Sequence, residues 1–99
     1  MAKNVVRIDS ELEELIPNYI ENRHKDIKNM TEALAKGDFD TVRLLGHSMK
    51  GSGASYGFDE ISVIGKKLEE AAKAKDQAGI PGLIQELSDY VNNLEVVYE

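Results

Sequence analysis

The side chain in this 99-residue chain best placed for chemistry is His47, within Arg43-Leu44-Leu45-Gly46-His47-Ser48-Met49-Lys50-Gly51-Ser52-Gly53-Ala54. On a helical projection of about 100° per residue, Val42, Leu45, Met49, Ser52 and Tyr56 share one face. His47 falls roughly 200° from Leu45, on the opposite side. Arg43, Lys50, Gly51 and Ala54 lie around it on that outer face. An imidazole has an ordinary pKa of about 6.5, so at neutral pH it is largely uncharged and holds a free lone pair. An acceptor that takes the Nδ1 proton leaves Nε2 as an outward nucleophile. Lys50, three residues on, and Arg43, four before, could supply positive charge beside whatever the ring receives.

Glycine on this helix costs stability. Gly46, Gly51 and Gly53 together cost about 2–3 kcal/mol relative to alanine, a large share of the roughly 5–15 kcal/mol that holds a domain together. Gly46 projects toward the core and suits close helix packing. Gly51 sits one turn from His47 on the outer face, where a missing side chain clears room for another surface to approach. A histidine that must be reached by a partner explains that choice; selection for folding alone does not.

The elements that carry these residues are helical. Ser10 and Glu13 form a capping-box pattern, and Pro17 predicts a break, giving a first helix over about 10–36. Gly37 is a stop signal and Asp38 a cap for a second helix over 38–56. A third is expected over 58–75, with Asp59 and Glu60 in its first turn. A fourth, opened by Pro81, is expected over 80–98, its apolar stripe running to Val97. Val5-Val6-Arg7-Ile8 could be extended but has no obvious partner. Residues 1–99 therefore read as a single all-α domain, an antiparallel up-down-up-down four-helix bundle. His47 lies ten residues before Gly57 and Glu69 twelve after. On adjacent antiparallel helices the two stand at similar heights, which makes Glu69 the candidate acceptor for Nδ1–H.

Composition narrows the options. Hydrophobic residues are 41% and charged residues 30%, a globular balance. Twelve Lys and Arg against eighteen Asp and Glu give a net charge of −6, which argues against nucleic acid or an anionic membrane as main partner. No apolar run approaches the roughly 20 residues needed to span a bilayer, and Met1 to Arg7 shows no secretory apolar stretch. The absence of Cys excludes thiolate metal sites and disulfides and suits a reducing, cytoplasmic setting. Glu21-Asn22-Arg23-His24 is a Glu-x-x-His step, but di-iron bundles need two such steps, and His24 reads as a surface residue. There is no Gly-rich phosphate loop or Walker element, so no cofactor of its own is expected.

The run His-Ser-Met-Lys-Gly-Ser-Gly-Ala-Ser-Tyr-Gly-Phe from His47 to Phe58 resembles the histidine phosphotransfer family, and in particular the phosphotransfer domain of chemotaxis histidine kinases. Ala33-Leu34-Ala35-Lys36-Gly37-Asp38 and Lys67-Leu68-Glu69 extend the likeness to nearly the whole chain. It departs from the pattern at Gly46 and Gly65, where many members carry Ala, and at Tyr56. The resemblance implies a monomeric phosphoryl carrier in a His-Asp phosphorelay, not an enzyme with its own nucleotide site. His47 would be the phosphoacceptor, Lys50 and Glu69 its assistants, and Arg43, Gly51 and Ala54 part of the partner-facing surface. The partners implied are receiver domains of response regulators or hybrid sensor kinases, which would bring the Mg²⁺. A docking module without transfer, or the phosphoacceptor domain of a larger chemotaxis-type kinase, are the alternatives.

Overall fold

A computed structural model describes residues 3–99. Met1 and Ala2, which open the stretch that shows no secretory pattern, lie outside the described residues. The chain runs β1 (Asn4–Ile8), a 3-10 turn (Ser10–Leu12), α1 (Ile16–Ala35), α2 (Phe39–Gly53), a second 3-10 turn (Ala54–Tyr56), α3 (Asp59–Lys73), α4 (Ile80–Asn92) and β2 (Leu94–Tyr98). The protein is thus mostly helical, with four helices and a small two-stranded sheet among the described residues.

The helix boundaries follow local chemistry. α1 starts where Pro17 permits, with the proline in its first turn. The capping box at Ser10 does not form: Asp9 caps instead, its carboxylate accepting the Glu11 N–H at 2.9 Å, and only a 3-10 turn follows. Pro17 has no N–H to bond the carbonyl four residues back, so the bonding of that turn does not run on into α1. At the other end, Gly37 takes φ +71°. The Gly37 N–H reaches the Leu34 carbonyl and the Asp38 N–H reaches Ala33, which closes the last turn. Asp38 then caps α2 as expected, accepting the Thr41 N–H at 3.1 Å and the Thr41 hydroxyl at 2.6 Å.

The fourth helix is shorter than its apolar stripe suggests. It ends at Asn92, not near 98, and Leu94–Tyr98 is a strand paired in parallel with Asn4–Ile8, in register from Asn4 opposite Leu94 to Ile8 opposite Tyr98. Asn92 and Asn93 are poor helix formers, and Val96-Val97-Tyr98 favours extended backbone. Alternation of half-buried and exposed positions along β2 shows the period-two pattern. The whole helical part of the chain separates the two strands, so neither has a neighbour in sequence to reveal it.

The core is filled by Val42, Met49, Phe58, Ile61, Ile64, Leu68, Ile80 and Leu87, with Tyr19 stacked against Tyr56 and Phe58. The Tyr19 hydroxyl meets the Ser52 hydroxyl at 2.9 Å, a polar link at the α1–α2 contact. α2 and α3 make the closest helix pair. A Cβ on Gly46 would stand 2.8 Å from the Gly65 carbonyl oxygen and the Glu69 nitrogen; one on Gly65 would stand 2.6 Å from the Lys50 nitrogen. Two backbones therefore touch where alanine would hold them apart. A Cβ on Gly51 would meet nothing within 4 Å, so no packing requires glycine there.

These two glycine environments give opposite expectations. Gly65→Ala should destabilise by about 1–3 kcal/mol through overpacking, whereas Gly51→Ala should stabilise by up to about 1 kcal/mol. Urea unfolding of the two variants beside wild type measures both signs.

Candidate functional site

The close approach of α2 and α3 lets short side chains bridge them. His47 projects from α2 with its side chain 63% exposed, while Glu69 on α3 is buried with 6% of its side chain exposed. Glu69 Oε2 lies 2.8 Å from His47 Nδ1. Glu69 Oε1 lies 2.7 Å from Lys50 Nζ. Lys73, one turn along α3, holds its ammonium 3.9 Å from Oε2. One buried carboxylate thus gathers an imidazole and two cations from two helices.

The hydrogen bond from Lys50 is the largest influence on the Glu69 carboxyl and pulls its pKa down. Burial pushes it up. The His47 hydrogen bond and the charges of Lys50 and Lys73 pull it down again, to about 2 from an ordinary 4.5. Glu69 is therefore an anion at neutral pH and can only accept hydrogen bonds. The proton between Nδ1 and Oε2 belongs to Nδ1. In neutral His47 that places the lone pair on Nε2, away from Glu69, where the exposed ring can meet a reactant.

Of the residues singled out from the sequence, His47, Lys50 and Glu69 come together. Arg43 does not join them: it is half-buried and its Nε leans toward Asp40 of its own helix at 3.9 Å. Gly51 and Ala54 are exposed beyond His47, Ala54 at the start of the 3-10 turn that follows α2. His24 stands exposed on α1. Among the described residues, no group of three or more His, Cys, Asp or Glu side chains is arranged to hold a metal ion.

Three features of the site go beyond the sequence pattern. Helical spacing points Lys50 at an incoming group, yet its ammonium is tied to Glu69. Lys73 enters the site as well; it follows Glu69 by four residues, the spacing of a helical ion pair, and that spacing is the signal that could have found it. Leu44, three residues before His47, is 57% exposed and sets a large apolar side chain on the same helix.

The family model of the Hpt domain matches residues 14–96. The chain belongs to the Hpt domain family. Hpt domains are histidine phosphotransfer modules of phosphorelays, phosphocarriers that interact with receiver domains and not classical enzymes. The match takes in all four helices and the first part of β2, while β1 precedes it. Comparisons with curated proteins and with solved structures gave no match. No helix among the described residues is long and apolar enough to cross a membrane.

The depressed Glu69 pKa makes a pH prediction. In the unfolded chain Glu69 binds its proton near 4.5, in the folded chain near 2. Between those values the unfolded state holds more protons, so stability rises with pH. The Glu69 contribution should be full above about pH 4.5 and be lost as pH falls toward 2. Urea midpoints measured across that range should show a shallower acid loss in Glu69→Gln than in wild type.

Proposed function

We propose that this chain carries phosphoryl groups between receiver-domain aspartates, with His47 as the acceptor. The observation that supports it best is the held tautomer: a buried, anionic Glu69 takes the Nδ1–H of an exposed His47 and leaves Nε2 free. The four helices, joined by short turns, would form the antiparallel up-down-up-down bundle on which the histidine helix presents its outer face.

In the reaction, Nε2 attacks the phosphorus of an aspartyl phosphate in line. The N–P bond forms, the P–O bond to the aspartyl carboxyl breaks, and the carboxylate leaves. The ring gains positive character as its lone pair is used, and the Glu69 anion at Nδ1–H stabilises it. Lys50 answers the charge on the phosphoryl oxygens. Mg²⁺ belongs to the receiver's acidic pocket and is brought by that partner.

The docking surface would be the outer face of α2. Lys50 and Lys73 face the single Glu69 carboxylate, which leaves local positive charge beside His47 in an otherwise acidic chain and complements an acidic receiver site. Gly51 and Ala54 keep it low beside the ring, and exposed Leu44 offers apolar contact. The space beside Gly51 is open in the free protein, so its lack of a side chain fits approach by a partner.

His47→Gln should remove all phosphohistidine formed from a phosphorylated receiver while the melting temperature stays close to wild type. Acid-labile, base-stable label on the variant would reassign the acceptor. Gly51→Leu should fold at least as well as wild type yet accept phosphate from a receiver about tenfold or more slowly, because small displacements from in-line geometry are costly. Labelling by phosphoramidate, which needs no docking surface, should change little. Equal receiver transfer in variant and wild type would remove this face from the docking site.

A further inference from the structure

Lys50 is the nearest cation to His47 along the helix, and it is already engaged. Its ammonium sits 2.7 Å from Glu69 Oε1. A phosphoryl group on Nε2 brings about two negative charges in its oxygens, a stronger attractor than one carboxylate. If Lys50 turns to them, a buried Glu69 anion loses its strongest partner, and an unpaired buried charge is costly. The imidazole still donates to Oε2, so the oxygen that Lys50 leaves is Oε1.

Lys73 is placed to fill that gap. Its Nζ is 3.9 Å from Oε2, about 1 Å beyond charge-assisted hydrogen-bond distance. Its side chain is 59% exposed and so free to close. It approaches from the turn of α3 beyond Glu69, and Lys50 approaches from α2. Of the other cations, Lys67 points to Glu86 of α4 at 3.9 Å, Arg43 is drawn to Asp40, and Lys66, on the turn before Glu69, does not come within ion-pair distance of it.

We propose that Lys73 is a positioning residue that takes over neutralisation of Glu69 when Lys50 moves to the phosphoryl group. This rests on His47 being the phosphoacceptor. The covalent step is the one above, with phosphoramidate as donor in the test: the Nε2–P bond forms, the P–N bond of phosphoramidate breaks, and ammonia leaves. Lys73 forms and breaks no covalent bond. Its effect is greater in the phosphorylated state, since Lys50 is the nearer partner of Glu69 in the free one.

The test compares urea unfolding of phosphorylated and unphosphorylated protein for wild type, Lys73→Met, Lys73→Arg and, as a control on the same helix, Lys67→Met. In the unphosphorylated protein Lys73→Met should change the unfolding equilibrium less than about twofold. In the phosphorylated protein the loss should be greater by roughly a further two- to fivefold, the worth of one partly exposed ion pair. Lys73→Arg should restore most of it, and Lys67→Met should show no difference between the two states. An equal effect of Lys73→Met in both states, or the same coupling from Lys67→Met, overturns the hand-off while leaving His47 as acceptor. Wild type that takes no label on His47 overturns the acceptor reading and the hand-off with it.

Discussion

The backbone contact between α2 and α3 at Gly46 and Gly65 is the constraint on which the site depends. A glutamate side chain is short, and Glu69 must meet both His47 and Lys50 from the neighbouring helix. It does so at 2.8 and 2.7 Å because nothing larger than hydrogen separates the two backbones beside it. Ser62 completes the seam: its hydroxyl donates to the Lys50 carbonyl at 2.9 Å and accepts the Ala54 N–H at 2.7 Å. The helix that carries the histidine is thereby fixed in both spacing and height against the helix that carries its acceptor. Sites held by packed helices in this way keep their geometry better than sites on loops.

From that seam follows the electrostatics. The carboxylate is buried, which alone would favour its neutral form, and the cations around it reverse the preference. An anion that cannot donate fixes the histidine tautomer without any further device. The ring itself stays largely in solvent, so the nitrogen that is held and the nitrogen left open are different ones.

Much of this is legible in the sequence because it depends on local rules. Helical period places His47 opposite the core, the counts from Gly57 put Glu69 at its height, and the Gly37-Asp38 pair marks the first turn between helices. Gly51 stands out as a cost without a packing reason, and the structure leaves it open. Other features need three dimensions. The pairing of Asn4–Ile8 with Leu94–Tyr98 joins segments that the whole helical part of the chain keeps apart, and the spacing of Leu94 and Val97 continues the helical pattern by coincidence. Lys50 looks from its own helix like a surface lysine free to meet a ligand; its partner lies on a different helix, at a distance that spacing along the chain does not encode. The Gly46–Gly65 contact is half visible: Gly46 reads as a packing residue, but its counterpart on α3 is identified only once the helices are placed.

That Glu69 makes Nε2 of His47 the reacting atom is tested most directly by nitrogen and phosphorus NMR of the chain, labelled with ¹⁵N-histidine and phosphorylated by phosphoramidate. A one-bond phosphorus coupling on the Nε2 resonance of His47, with the Nδ1 proton still present and hydrogen-bonded, is the expected result. Phosphorus coupled to Nδ1, or to either nitrogen of His24, would contradict it.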